Sequence, residues 1–191
     1  MVFRYCIISL WNFIDPVYYF FSSLICLSGG DGEGSVFRVR LTRYKGVPVT
    51  LSDGTSIKRG DMLLKIHLHN VRLLTQSLHL QSDIRRGRTI YKSVRNSMPQ
   101  LSKFLLEHEK AEEIKGIIGI TMIKKGYEQL GFECQKPRSF LYKVFKKTTQ
   151  FPIYFLSSPG ADLSGIYKQV PVYLLMSKEK LISLYPRQQA Q

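Results

Sequence analysis

Residues 36–70 constrain the fold of this chain most, because they hold the densest run of strand and turn signals in the sequence. Residues 37–44 alternate apolar and polar side chains, the period of two expected of a half-buried strand. The Asp-Gly dipeptide at 53–54 predicts a hairpin turn, in which glycine supplies the positive φ. A Gly-Asp turn at 60–61 follows, and residues 62–70 alternate again. The segment therefore predicts a β-meander.

The two long strands of this meander carry their basic residues at alternate positions. If both strands share a sheet, these basic side chains point away from the core together, with an aromatic ring at the rim and an amide at the strand end. Such a face suits an anionic ligand. The predicted binding residues are Arg38, Arg40, Tyr44, Lys65, His67, His69 and Asn70.

The histidines of this face leave a metal site open as a second interpretation. His67 and His69 lie two residues apart on one strand, so both rings share a face and can hold a metal. A zinc site needs a further ligand, and no spacing in the sequence selects one. The candidates are His79, Asp83, His108 and Cys134. We therefore predict no metal and no cofactor.

The net charge of the chain indicates which classes of partner it can attract, but it does not identify one of them. The chain has 28 lysine and arginine residues against 14 aspartate and glutamate residues, a formal net charge of +14. That charge attracts nucleic acid, anionic lipid or an anionic polymer, and it equally describes a solvated surface. The 3 cysteines fit neither a zinc spacing nor a disulfide framework. They indicate a reducing, cytoplasmic environment in which the thiols act as small apolar core groups.

The N-terminal stretch is apolar and aromatic, and residues 5–27 contain a single charge, Asp15. That length can span a bilayer, but Asp15 followed by Pro16 starts a new helix in its middle, and a charge at the bilayer centre is costly. We predict a helical segment over 1–27 that packs in the core. Attachment to a membrane surface through 5–27, which would make the protein peripheral, is the second interpretation, and a true span is the third. A glycine-rich linker then leaves 36–191 as one domain.

Helices and strands alternate after the meander. Ser82 predicts a helix N-cap, Pro99 a restart of that helix, and residues 114–123 a buried central strand. Further helices are predicted at 124–130, 139–149 and 178–184, and further strands at 132–135, 151–156 and 172–176. The pattern predicts an α+β fold with a mixed, largely antiparallel sheet and flanking helices.

The helix that follows Ser82 has a basic face opposite its apolar one. The residues of that face are Arg85, Arg88, Lys92 and Arg95. A basic helix face can bind nucleic acid through phosphates, although it is more often simply solvated. Aromatic residues that would stack on bases are absent from it, because Tyr91 falls on the apolar side. Nucleic-acid binding is therefore the second alternative for function.

Common catalytic motifs are missing, which favours a protein that is not an enzyme. There is no Gly-x-Ser-x-Gly elbow, and Ile166-Tyr167 stands where a P-loop needs Lys-Ser/Thr. Residues 130–133, Leu-Gly-Phe-Glu, resemble the helix-to-strand joint of GCN5-type acetyltransferases. That resemblance implies the same fold and makes acyl transfer the first alternative function. The glycine-rich loop that takes the coenzyme pyrophosphate in those enzymes is not matched by Arg85-Arg86-Gly87-Arg88.

A broader set of motifs covers most of the chain. Its members are Trp11, Ile14-Asp15-Pro16, Phe37-Arg38-Val39, Leu51-Ser52-Asp53-Gly54-Thr55, Gly60-Asp61, the run 65–70, Gly119-Ile120-Thr121, Leu130-Gly131-Phe132, Met176-Ser177-Lys178, Leu181 and Tyr185. Together they resemble the YkoP-like family of bacilli and their relatives. The family occurs alone and as the C-terminal domain after some polysaccharide deacetylases. The resemblance implies a bacterial, non-catalytic accessory or binding module linked to envelope polysaccharide, with an envelope glycan or lipid-linked precursor as its ligand. The deacetylase motifs Asp-Asp and His-x-x-x-His are absent.

Overall fold

The computed structural model describes residues 24–27, 35–69, 72, 73, 75, 80, 82–121, 126–135 and 172–186. The strands of this part are β1 Ile25–Cys26, β2 Phe37–Arg43, β3 Val49–Thr50, β4 Ser56–Ile57, β5 Met62–Leu68, β6 Ile114–Thr121, β7 Glu133–Gln135 and β8 Val172–Ser177. Its helices are α1 Asp83–Glu107 and α2 Lys178–Leu184, with short 3₁₀ turns at Ala111–Glu113 and Glu128–Leu130.

Six of these strands form one sheet in the order β1-β2-β5-β6-β8-β7, and β3 and β4 form a separate hairpin. Strands β5 and β6 run parallel, while the other neighbours in the sheet are antiparallel. The parallel pair requires a crossover, and α1 lies in the chain segment that makes it. This arrangement confirms the predicted α+β class with a mixed, largely antiparallel sheet.

The meander forms with the turns that its glycines predict. Gly54 and Gly60 have φ of 86° and 95°, a conformation that side chains with a Cβ rarely adopt. The first turn joins β3 to β4, so that Val49 pairs with Ile57. The second leads into β5, which pairs with β2 over its full length.

Different secondary-structure elements pack on the two faces of the sheet. Helices α1 and α2 cover one face, where Met98 and Leu101 of α1 are fully buried in a cluster that includes Phe37 of β2 and Leu64 of β5. The β3–β4 hairpin covers part of the other face, where Ile57 is fully buried in a second, smaller cluster. At about 25 cal/mol per Å² of apolar surface, the larger cluster under the helices contributes most of the hydrophobic stabilisation.

Helix α1 corrects one prediction, because it continues through Pro99 instead of restarting there. Proline removes one backbone hydrogen bond, but the buried side chains of Met98 and Leu101 on either side hold both halves against the sheet. The predicted N-cap is confirmed, since Ser82 Oγ accepts the N–H of Arg85. The central strand β6 is also confirmed, with Ile117 fully buried between β5 and β8.

Two further expectations differ from the structure. Ile25 and Cys26, at the end of the predicted N-terminal helical segment, form β1 and pair with β2. Cys26 is exposed and Cys134 half-buried, so these two thiols are not fully enclosed core groups. Residues 1–23, the helix predicted at 139–149 and the strand predicted at 151–156 lie outside the described residues. In the part of the chain that is described, no helix has both the length and the apolar character needed to cross a bilayer.

Candidate functional site

The pairing of β2 with β5 brings the predicted basic residues together. Arg38 is the register partner of His67, and Arg40 is the partner of Lys65. Directly opposed residues of an antiparallel pair share a face, with Cβ atoms about 5 Å apart. These four residues form what we call the cationic face. It lies opposite the sheet face that α1 covers, because Phe37, Val39 and Leu64 alternate with them.

Burial raises the electrostatic strength of this face. Arg38 is only 8% exposed, and the other three side chains are half-buried. Across the parallel pair, Lys65 faces Ile118, which is 6% exposed. Low-dielectric neighbours strengthen charge–charge interactions, so an anion held here would interact more strongly than at an open surface. All four basic residues also interact with other groups of the chain, so a ligand would join an existing set of contacts.

Two of the predicted binding residues have other surroundings, and a third is not described. Tyr44 does not rim the cationic face as expected: it is 4% exposed, and its ring packs beneath the hairpin against the backbone at Gly46. Burial, and then the nearby Tyr173, raise the pKa of Tyr44. His69 follows β5, and its Nδ1 accepts the N–H of Arg72 at 3.1 Å. Asn70 lies outside the described residues.

The hydrogen bond that His69 Nδ1 accepts argues against a metal site at the two histidines. A ring nitrogen that accepts a backbone N–H is deprotonated and already occupied at that atom. His108, one candidate for a further ligand, has its Nδ1 bonded to the N–H of Lys110 at 3.0 Å and its ring edge against Phe104. Among the described residues, no three histidine, cysteine or acidic side chains come together as a metal site would require.

A second polar site joins the hairpin to the far end of the same sheet face, and the sequence did not reveal it. We call it the hairpin network, and its residues are Ser52, Asp53, Glu133, Ser177 and Lys180. Ser52 Oγ donates to Glu133 Oε1 at 2.6 Å, and the backbone N–H of Ser52 donates to both carboxylate oxygens at 3.1 Å. Lys180 Nζ lies 3.2 Å from the carboxylate of Glu133 and 3.2 Å from Ser52 Oγ.

Ser177 links the network to helix α2. Its Oγ donates to Asp53 Oδ2 and accepts the N–H of Lys180 at 3.0 Å, which makes it the N-cap of the helix. Asp53 also accepts the N–H of Thr55 at 3.0 Å within the turn. The sequence signal for this contact was faint: the Asp-Gly-Thr and Met-Ser-Lys motifs stand far apart in the chain, and only the fold makes them neighbours.

In the hairpin network, the pKa values of both carboxyl groups lie below their ordinary values. Burial raises the pKa of Asp53, but the hydrogen bonds from Ser177 and Thr55 and the charge of Lys180 outweigh it, so the pKa lies below its ordinary value of 3.8. For Glu133, burial is likewise outweighed by the hydrogen bonds of Ser52 and by Lys180, and its pKa lies below 4.5. Both groups are therefore ionised at neutral pH, and the network fastens the hairpin to the sheet through charge-assisted hydrogen bonds.

The parallel strands β5 and β6 separate at their carboxyl ends, beside the cationic face. Their mutual pairing runs from Met62 with Ile114 to Lys65 with Ile118. Strand β5 nevertheless continues to Leu68, paired with β2, and β6 continues to Thr121, paired with β8. The carboxyl ends of parallel strands are where ligands bind in many mixed sheets.

A shallow cleft of about 390 Å³ lies where the hairpin meets the start of α2. Its walls carry both signs of charge, from Glu112, Lys115, Lys178 and Glu179. The lysines are already paired, Lys178 with Glu112 at 3.9 Å and Lys115 with Asp61 at 3.3 Å. This cleft therefore offers an anion less than the cationic face does.

Comparison with known proteins identifies the family. The model of the YkoP domain matches residues 4–185. The chain is 46% identical over 182 residues to the protein titled "Uncharacterized protein YkoP" of Bacillus subtilis (strain 168), a match that covers 95% of this chain and 97% of that protein. No solved structure matches the chain significantly. The family resemblance that the sequence motifs indicated is thus confirmed, and the chain belongs to the YkoP domain family.

Proposed function

We propose that this chain is a non-catalytic binding module that holds an anionic ligand on its cationic face. The observation that supports it most is the register of β2 with β5, which sets Arg38 beside His67 and Arg40 beside Lys65. Two arginines, a lysine and a histidine then start from adjacent positions on one face, which suits a phosphate, sulfate or carboxylate group. Arginine binds such groups bidentately and lysine binds them as a point charge.

The family and the site both support a proposal for the ligand class. A family that also follows polysaccharide deacetylase domains suggests a ligand from the cell envelope, either an acidic glycan or the phosphate of a lipid-linked precursor. Both present an anion beside polar or apolar groups. The cationic face offers the anion site, and the half-buried Ile120 lies on the adjacent strand β6, two residues beyond the partner of Lys65.

We expect the double variant Arg40→Gln/Lys65→Gln to bind anions roughly 100-fold more weakly than the wild type, because it removes two charge-assisted hydrogen bonds. Isothermal titration with inorganic phosphate, a glucuronic-acid oligosaccharide and a polyprenyl phosphate in detergent measures this loss. Arg38 is left intact, since it is 8% exposed and its removal would also disturb packing. Lys58→Gln/Lys110→Gln, two exposed lysines outside the cationic face, is the control with the same change in net charge.

The same titrations at different pH values separate an anion site from a metal site. Protonation adds a positive charge to an imidazole, so participation of His67 predicts that anion binding tightens on acidification. The affinity for a metal ion would instead weaken as the pH falls, because protons compete with the metal for the ring nitrogen. Equal affinities of the double variant and the control for every probe that binds would refute the proposal for this face.

The separation of β5 and β6 supports a second candidate, an acyltransferase-like enzyme that places a coenzyme between the two strands. Acetyl-coenzyme A should then raise the melting temperature by mass action, and the size of the rise should grow with its concentration. ATP is the control, because it carries adenosine and phosphates without the pantetheine arm. Stabilisation by acetyl-coenzyme A alone would favour the enzyme, whereas equal stabilisation by both would favour general anion binding. No shift with acetyl-coenzyme A at saturation would remove this candidate.

A further inference from the structure

Helix α1 has an outward face that the proposed function does not use. Its exposed basic and large apolar residues are Ile84, Arg85, Arg88, Lys92, Arg95, Lys103 and Leu106. At 100° per residue they fall within an arc of about 100° on the helix surface. From Arg85 to Lys103 the arc runs about 27 Å at 1.5 Å per residue. We call this surface the α1 stripe.

The charge of the α1 stripe is of one sign. The helix has no aspartate or glutamate between Asp83 and Glu107. Within the described part of the chain, no ion pair joins a basic residue of the stripe to a carboxylate. Five exposed cations lie between the acidic residues at the two ends of the helix, Asp83 and Glu107, and together they create a strong positive potential. That potential needs an extended anionic partner, since a single small anion would contact only one or two of them.

The α1 stripe also exposes apolar side chains at its two ends. Ile84 is 71% exposed and Leu106 is 44% exposed. They lie about 33 Å apart along the helix, on the same side as the basic residues. Apolar side chains at the ends of a basic row suit a lipid surface, where they enter the headgroup region while the cations contact phosphates. They contribute nothing to binding of a nucleic-acid backbone, and the stripe has no aromatic ring to stack on bases.

We propose that the α1 stripe docks this protein on an anionic membrane surface. The stripe is separate from the cationic face, because α1 packs on the opposite face of the sheet. A protein docked through α1 would therefore turn its cationic face away from the bilayer. Each basic residue near an anionic leaflet adds to the attraction, so several together give salt-sensitive, reversible attachment.

The test is co-sedimentation of the full chain with vesicles of about 30% phosphatidylglycerol in phosphatidylcholine, and with vesicles of phosphatidylcholine alone. The variant Arg88→Gln/Lys92→Gln/Arg95→Gln is compared with the control Lys45→Gln/Arg59→Gln/Lys110→Gln, which removes three exposed cations elsewhere. We expect the wild type and the control to bind anionic vesicles but not neutral ones. The α1 variant should bind at least roughly tenfold more weakly.

Two further variants separate the membrane from other partners. Ile84→Ser should weaken vesicle binding severalfold without changing retention on duplex DNA, because only the bilayer has an apolar layer for the side chain to enter. Arg40→Gln/Lys65→Gln should reduce vesicle binding less than the α1 variant does, since a protein docked through α1 turns that face away from the bilayer. The proposal is wrong if the α1 variant and its control lose vesicle binding equally, or if neither loses any. It is also wrong if the α1 variant loses binding to duplex DNA while wild type ignores the vesicles.

Discussion

Replacing Gly116 by alanine is expected to lower the free energy of unfolding by about 3 kcal/mol or more. Gly116 lies in β6, paired with Leu63 of β5 on one side and with Ser177 of β8 on the other. A Cβ at this position would meet the backbone oxygen of Met176 and lie 3.2 Å from the Cα of Ser177. Backbone atoms in a central strand cannot move aside as a flexible side chain can, so the sheet itself must distort.

Denaturant unfolding followed by circular dichroism measures this loss, with Gly87→Ala as the matched control. Gly87 lies in α1 with nothing within 4 Å of an added Cβ. Alanine should stabilise the helix there by about 0.5–1 kcal/mol, because glycine loses more backbone entropy on folding. The two glycine-to-alanine changes should therefore have opposite signs. A Gly116→Ala protein as stable as wild type would contradict the packing of β6 against β8.

The second large effect is expected at Ser177, whose replacement by alanine should cost about 2–3 kcal/mol. Ser177 has no exposed surface. Its hydroxyl both caps α2 and donates to the carboxylate of Asp53, so alanine removes one end of two hydrogen bonds at once. Ser56→Ala, an exposed serine on β4, is the matched control and should change the stability by less than about 0.5 kcal/mol.

The pH dependence of the same pair of variants tests the role of Asp53. Hydrogen bonds hold the pKa of folded Asp53 below 3.8, so ionisation of this group stabilises the fold above that value. Its contribution is lost as the pH falls through the lower, folded pKa. The stability of Ser177→Ala should therefore fall less steeply than that of wild type on acidification below about pH 4. Parallel pH profiles, or equal losses in Ser177→Ala and Ser56→Ala, would show that the contact adds nothing.

Local patterns in the sequence were sufficient to predict most of the described secondary structure. Alternation along residues 37–43 and 62–68 predicted β2 and β5, the glycines at 54 and 60 predicted the turns, and Ser82 predicted the start of α1. These features depend on neighbouring residues: side chains two apart share a strand face, and a serine hydroxyl reaches an N–H three residues on. The same alternation predicted that the basic residues of the two strands would share a face. Whether they bind an anion stays a prediction.

Only the tertiary structure decided which distant segments meet. The hairpin network joins residue 53 to residue 177 and residue 52 to residue 133, and no local pattern encodes such a pairing. The burial of Tyr44 has the same origin, because the hairpin that covers it folds back from later in the chain. Pro99 remains inside α1 since packing against the sheet outweighs the local preference of proline to end a helix. Contacts across a sheet depend on strand order, which a single sequence does not specify.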